Sequence, residues 1–401
     1  MSLLSLLIDP ECWEKFYEYK TSLICEKTFD KELRDFIDRK DYLSVCAAIY
    51  EGKPFPLPRK ALISKQSSQK KRTVYIYPKA ENIVLKLLTY LLLRKYNSLF
   101  TPDLYSFRPG LTAKDAVRHL LKTPGLSGMY SYKADVSNYF NSVPIPKLVP
   151  MLEKAFSDDP ELFAFLRGLL EETRAVDGGV IVEEPKGIMA GTPIASFCAN
   201  LYLDGLDRWF YERKIPYARY SDDIIILAPT REETERYAEK VRDTLAAMGL
   251  GINPDKEFFS SPEKGFTFLG FSVCGGKVDI AKASVDKLKG KMRRKTRALM
   301  RWRTRNGLEG ERAAKAFTRI FNRKLLENSR DNDLTWSYWF FSVINTSESL
   351  HEIDLYAQDC LRYLISGTRT KARYNVRYDE LKSLGYRSLV NAFYGHEGEE
   401  K

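Results

Sequence analysis

The residues with most chemistry to offer are Asp222 and Asp223, in the stretch Tyr220-Ser221-Asp222-Asp223. They stand between Tyr217-Ala218-Arg219 and Ile224-Ile225-Ile226-Leu227-Ala228. Both flanks carry aromatic or β-branched residues, which favour strands. The acidic pair therefore falls where a hairpin reverses. Asp is a common turn residue, and a lone Asp-Asp needs no further explanation. The apolar arms ask for one, because they belong in a core. Adjacent carboxylates repel each other and resist losing water, so a core that holds them needs a cation. A divalent ion that takes hard oxygen ligands, Mg2+ above all, suits them.

Asp135 supplies a third carboxylate. Residues 130–136 read as a strand with this acid beside its end, and Asn138, Asn141 and Pro144 suit a tight exit. Facing the hairpin acids, Asp135 completes an oxygen-rich metal site; standing apart, it caps the next turn. Three further stretches offer contacts to phosphate or base. Residues 64–72 are polar and basic, and run into the strand Val74-Tyr75-Ile76-Tyr77. Such a loop either closes over a triphosphate or is a solvated charge run. Arg108, in Phe107-Arg108-Pro109-Gly110, either braces a tight turn or faces a phosphate. Residues 185–193, with Gly187, Ala190, Gly191 and Pro193, form a glycine-punctuated loop that opens a helix over 194–211. Backbone amides at such a helix start can approach a nucleotide or a template base.

Holding these groups takes helices around a sheet. Residues 1–60 read as amphipathic helices, ended by Pro54, Pro56 and Pro58. The apolar start, residues 1–8, lacks a basic leader and stops at Asp9-Pro10-Glu11. It is expected to be a helix packed on the body, neither a signal peptide nor a membrane span. Residues 83–100 form an apolar helix, 145–184 are mainly helical, and 231–248 are an amphipathic helix with a solvated face. Residues 266–273 alternate as one strand, with Gly275-Gly276 as the hairpin behind it. Lys282–Arg305 is a basic helix in which Asp286 is the only acid. Leu288, Met292, Leu299 and Trp302 give it a buried face. Its cations, Lys291, Arg293, Arg294 and Arg297 among them, can follow a nucleic-acid backbone. Residues 350–394 are helical and aromatic, with a basic loop over 368–374.

The chain has 401 residues, enough for two or three domains, and a net charge of +11 with a pI near 9.1. That excess suits nucleic acid first and an anionic membrane surface second. The six cysteines form no CxxC pair and the three histidines lie far apart, against a zinc site or a disulfide framework. Free buried thiols fit a reducing, cytoplasmic setting.

Taken in order, the cationic loop, strand-end acid, glycine loop, Asp-Asp hairpin, aromatic hairpin and basic helices resemble the right-hand polymerases. Among these they are most similar to the reverse transcriptases, motif by motif over residues 71–273. Ala134-Asp135 through Phe140 looks like the first palm motif, and Gly187 through Leu203 like the second. Tyr220-Ser221-Asp222-Asp223 looks like the third, and Phe268-Leu269-Gly270-Phe271 like the primer grip. The resemblance implies an α+β right-hand polymerase with fingers, palm and a helical thumb. It divides into a helical extension over 1–70, fingers and palm over 71–278, and a basic thumb and C-terminal region over 279–401.

The resemblance also implies roles. Asp135, Asp222 and Asp223, with the Val136 carbonyl, hold two Mg2+ ions for in-line nucleotidyl transfer. Lys71 and Arg72 meet the triphosphate. Phe140 packs against the sugar 2′ position, which points to DNA as product. Ala190 and Gly191 contact the nascent pair, Arg108 and the thumb cations contact nucleic acid, and Leu269 and Gly270 hold the primer. Ala190 stands where many relatives have Gln, and Ala195 where Ser is common, so contacts to the template–nucleotide pair differ here. The absence of a Cys-rich endonuclease tail, together with the ending over 378–394, is similar to the "unknown group" prokaryotic reverse transcriptases, many linked to antiphage defence. The partners so implied are a structured non-coding RNA template, dNTPs and a DNA product, with no membrane and a homo-oligomer left open. Two alternatives stand: a protein-primed or untemplated DNA polymerase of abortive-infection type, and a non-catalytic RNA-binding scaffold.

Overall fold

The computed structural model describes residues 2–22, 27–64, 71–184, 187–327 and 336–399. The chain divides into two compact units, residues 1–261 and 262–401. The architecture is α+β, as expected.

In the first unit a short 3-10 helix, Leu3–Ile8, buries Leu3, Leu4 and Leu7. Helices α1 (Pro10–Ser22), α2 (Lys27–Asp38) and α3 (Tyr42–Tyr50) follow. They share one hydrophobic core with α4 (Lys79–Lys95), through Trp13, Phe16, Leu33 and Tyr42. The described helices before residue 51 thus pack in the same core as α4.

Strands β1 (Arg59–Ser64) and β2 (Lys71–Ile76) pair as an antiparallel hairpin. Strand β1 was not expected, because its alternation is short and follows a proline run. The expected boundary at 70/71 falls inside this hairpin. The tip of the cationic loop, residues 65–70, lies outside the described residues. After α5 (Ala113–Leu121) comes β3 (Tyr130–Asp135), and then α6 (Tyr139–Ser142), α7 (Ile145–Ala155) and α8 (Pro160–Glu171). Strands β4 (Arg174–Asp177) and β5 (Val180–Glu183) complete a four-stranded sheet of order β2-β1-β4-β5.

The expected helix over 194–211 is two helices, α9 (Ala195–Tyr202) and α10 (Asp204–Glu212). The second sheet has the order β6-β7-β3-β8 and is antiparallel throughout. It uses β6 (Tyr217–Tyr220), β7 (Asp223–Ala228) and β8 (Phe258–Ser260). Ile224, Ile225, Ile226, Leu227 and Ala228 are each 0% exposed, so β7 is covered on both faces, as its unbroken apolar run requires. Helix α11 (Arg231–Ala247) packs on β3 and β7.

The second unit opens with a three-stranded sheet of β9 (Phe266–Phe268), β10 (Phe271–Cys274) and β11 (Lys277–Ile280). The single strand expected over 266–273 is thus a hairpin. Leu269 and Gly270, at φ 49° and 91°, turn the chain back, and alternation alone cannot tell a tight turn from a continuing strand. The expected boundary at 278/279 cuts through β11. Helices α12 (Lys282–Arg305), α13 (Gly310–Leu325), α14 (Trp336–Phe341), α15 (Glu348–Ser366), α16 (Tyr378–Ser383) and α17 (Leu389–Glu399) complete the unit. Val285, Leu288, Met292, Thr296 and Leu299 form the buried face of α12. Trp302, expected on that face, is 38% exposed.

Candidate active site

The sheet register brings the three acids together. Asp135 ends β3 directly opposite Asp223, the first residue of β7. Asp222 occupies the turn between β6 and β7, and its carbonyl accepts a hydrogen bond from the Val136 amide at 3.0 Å. Asp135 is 5% exposed, while Asp222 and Asp223 are half-buried. Burial is the main force raising the Asp223 pKa; Lys133 opposes it, and the charges of Asp222 and Asp135 add to it.

Lys256, from a 3-10 turn at Pro254–Lys256, makes a direct ion pair with Asp135, and Lys133 Nζ lies 3.8 Å from Asp223 Oδ1. Sequence reading missed both lysines: Lys256 has acids on either side of it in the chain, yet the one it pairs with is 121 residues away. Among the described residues no three His, Cys, Asp or Glu side chains converge as a metal cluster. Asp135 is instead paired with the Lys256 ammonium group. The donor set itself fits a hard divalent cation. Its donors are all oxygen, two of the acids sit on paired strand ends with the third in the adjoining turn, and two of them lie against lysines.

A second group gathers around Phe140, which is half-buried. The Arg72 guanidinium lies 5.9 Å from its ring centroid, and the Phe107 ring packs edge-on at 6.3 Å. Lys71 is exposed at the start of β2. The glycine loop is fastened here by its backbone. Ile188 donates to the Phe140 carbonyl at 2.8 Å, Ala190 donates to Asn141 Oδ1 at 2.9 Å, and Tyr75 donates to the Ala190 carbonyl at 2.8 Å. Gly191 has φ 98°, and a Cβ there would stand 3.1 Å from Val74 Cβ and 3.2 Å from the Tyr75 carbonyl. Glycine is therefore needed for this loop to lie against β2. Residues 185 and 186 of the loop lie outside the described residues. The expected nucleotide contacts Arg72, Phe140, Ala190 and Gly191 thus form one neighbourhood.

Arg108 is a correction. Its Nε donates to Asn97 Oδ1 at 2.9 Å, Nη1 to the carbonyls of Thr101 and Leu104 at 2.5 and 3.0 Å, and Nη2 to the Asn97 carbonyl at 3.3 Å. The guanidinium closes its own loop, so the structural alternative describes it and the expected nucleic-acid contact does not. Sequence reading also passed over Ser106, Asn200, Asp207 and Arg219, which form a buried network beneath the hairpin turn. The one sequence signal was a charged residue inside an apolar strand.

In the second unit, Leu269 and Gly270 form the β9–β10 turn, and the Gly270 carbonyl accepts from Ala281 at 2.8 Å. Lys291, Arg293, Arg294 and Arg297 are exposed on α12. Not every cation of that helix is available. Lys289 pairs with Glu352, and Arg303 donates to the carbonyls of Leu308 and Leu364 at 3.3 and 3.0 Å.

The chain is 27% identical over 172 residues to an uncharacterized 91 kDa protein in the cob intron of Schizosaccharomyces pombe. That alignment covers 40% of this chain and 20% of the relative, so the chain spans about one fifth of it. Apo telomerase from Candida tropicalis aligns with a TM-score of 0.48 and 11% identity, covering 82% of this chain and 69% of that one. Telomerase from Candida albicans, in complex with a TWJ fragment of telomeric RNA, aligns at 0.43 and 11%, covering 88% and 71%. The model of the family described as reverse transcriptase (RNA-dependent DNA polymerase) matches residues 63–273, more than half of the chain and the whole of the acid and nucleotide neighbourhoods. The chain belongs to the reverse transcriptase family.

Proposed function

We propose that this protein is an RNA-directed DNA polymerase. The observation that carries the reading is Asp135 paired in register with Asp223, with Asp222 hydrogen-bonded through its carbonyl to the neighbouring Val136. Asp135, Asp222 and Asp223, with the Val136 carbonyl, would hold two Mg2+ ions. When bound, divalent ions supply activation of the primer 3′-hydroxyl and charge stabilisation on the departing pyrophosphate. The chain's own residues do the rest. Arg72 and Lys71 bring positive charge to the triphosphate, Phe140 excludes a 2′-hydroxyl, and the backbone of Ala190 and Gly191 faces the new pair. Lys256 and Lys133 balance the acids before substrate enters. The exposed cations of α12 hold template–primer duplex as part of a thumb, and the Leu269-Gly270 turn meets the primer. The template is a structured non-coding RNA, the setting is antiphage defence, and the compartment is the cytoplasm.

The test is incorporation of labelled dNTPs on an RNA template with a DNA primer in Mg2+, by the wild-type chain and by Asp222→Asn with Asp223→Asn. Asn suits the same turn, so the double variant keeps its fold. We expect template-dependent product from the wild type, none from the variant, and none after chelation. Undiminished incorporation by the folded variant sinks the mechanism. Product of equal length and amount without template would move the assignment to untemplated synthesis.

A further inference from the structure

We propose that Ser106, Asn200, Asp207 and Arg219 are positioning residues that set the backbone of the Ser221-Asp222 turn, and through it the metal affinity of Asp222. The inference rests on the reading of Asp222 as a metal ligand. An ordinary β-hairpin closes on bonds between its own strands. This one is held from below by residues from three other segments.

Ser221 is a non-glycine residue at φ 61°, a conformation that persists only where the surroundings impose it. Both of its backbone polar groups are held by side chains. Its amide donates to Ser106 Oγ at 2.8 Å, and its carbonyl accepts from Arg219 Nη1 at 3.2 Å. The next carbonyl, of Asp222, is held by the amide of Val136, the residue after the end of β3. Asp222 is thus bracketed on both sides.

The parts behind the bracket are themselves fixed. Ser106 Oγ donates to Asn200 Oδ1 at 3.1 Å, and Asn200 Nδ2 returns a bond to the Ser106 carbonyl at 2.8 Å. Arg219 Nη2 donates to the Asn200 carbonyl at 3.0 Å. Arg219 meets Asp207 through both carboxylate oxygens, Nε to Oδ1 at 2.7 Å and Nη2 to Oδ2 at 2.5 Å. Tyr217 adds a phenol donor to Asp207 Oδ1 at 2.7 Å. Ser106, Asn200, Asp207 and Arg219 are all 0% exposed. Burying an ion pair this deeply adds little stability over an apolar pair of the same volume. What the polar version does here is point one donor and one acceptor at Ser221. Supports one bond removed from a ligand commonly change metal affinity or activity about 10- to 100-fold.

Arg219→Ala would leave Asp207 unpaired in the core and unfold the chain, so the informative variant is Ser106→Ala, which deletes one oxygen. Mn2+ binding is read by EPR on the full chain, beside dNTP incorporation and thermal melting. We expect Ser106→Ala to bind Mn2+ about tenfold more weakly, and to lose kcat with KM for dNTP nearly unchanged. Ser106→Thr, which keeps the hydroxyl, should restore most of the affinity. Tyr217→Phe touches the same buried Asp207 but not the turn, so it should lower the melting temperature and leave Mn2+ affinity as it was. Wild-type Mn2+ affinity in Ser106→Ala overturns the inference, provided that Asp222→Asn loses it. Weakened affinity in Tyr217→Phe equal to that of Ser106→Ala also overturns it, by showing general loosening. Undiminished Mn2+ binding in Asp222→Asn removes the acid-site reading itself, and the inference with it.

Discussion

Phe140 is a half-buried ring that touches a cation and an aromatic edge, the Arg72 guanidinium at 5.9 Å and Phe107 at 6.3 Å. On the proposed reading this ring is the one that excludes a 2′-hydroxyl. Phe140→Ala should therefore raise ribonucleotide use relative to deoxyribonucleotide, with the ratio of kcat/KM values shifting about tenfold or more. Competition kinetics with matched ribo- and deoxyribonucleotides measure it. An unchanged ratio would make Phe140 a packing residue and nothing else. At this scale the acids were legible from their types, because two anions between apolar strands have few stable explanations. Arg108 was not legible. Whether a guanidinium meets a phosphate or its own loop depends on where Asn97, Thr101 and Leu104 put their oxygens.

Helix α12 shows what periodicity carries. Its buried face repeats at Val285, Leu288, Met292, Thr296 and Leu299, spacings of three and four that place them on one stripe. The cations fall on the remaining surface, where Arg293, Arg294 and Arg297 are exposed. Replacing these with Gln should weaken binding to unrelated template–primer duplexes about equally. It should also flatten the slope of log affinity against log salt by about 0.9 per lost contact on B-form duplex. Titrations at several salt concentrations read both effects. Loss confined to one folded RNA, with generic duplex binding intact, would remove the thumb assignment. Hairpins were less legible than helices: β9 and β10 share one alternating pattern, and the turn between them depends on two residues adopting positive φ.

Each of the two compact units has its own polar anchor as well as its own apolar packing. In the second, Asp354 is 4% exposed. It accepts from Tyr386 OH at 2.7 Å, Ser388 Oγ at 2.6 Å, and the amides of Leu389 and Val390 at 3.0 and 3.2 Å. It thus fastens the start of α17 to α15. Asp354→Ala leaves those donors without an acceptor and should cost about 2–4 kcal/mol. Hydrogen exchange should speed up by about 30-fold or more in α15 and α17, with β3 and β7 nearly unaffected. Equal acceleration in both regions would mean that the units unfold as one. The net charge of +11 also acts at this scale, favouring a polyanionic partner whatever its sequence.

The amino-acid sequence alone determined the chemistry available here: one carboxylate at a strand end and two at a hairpin reversal, a glycine loop at a helix start, and a basic amphipathic helix. Each follows from local pattern, which acts within a few residues. Tertiary structure decided what those groups meet. It set Asp135 against Asp223 through strand register, and brought Lys256 to Asp135 across 121 residues of chain. It also placed Ser106 under Ser221 across 115. It turned Arg108 inward and made Trp13, Leu33 and Tyr42 part of the same core as the acid-bearing sheet. Such contacts depend on how elements pack, and packing is set by side chains far apart in sequence, so no local pattern announces them.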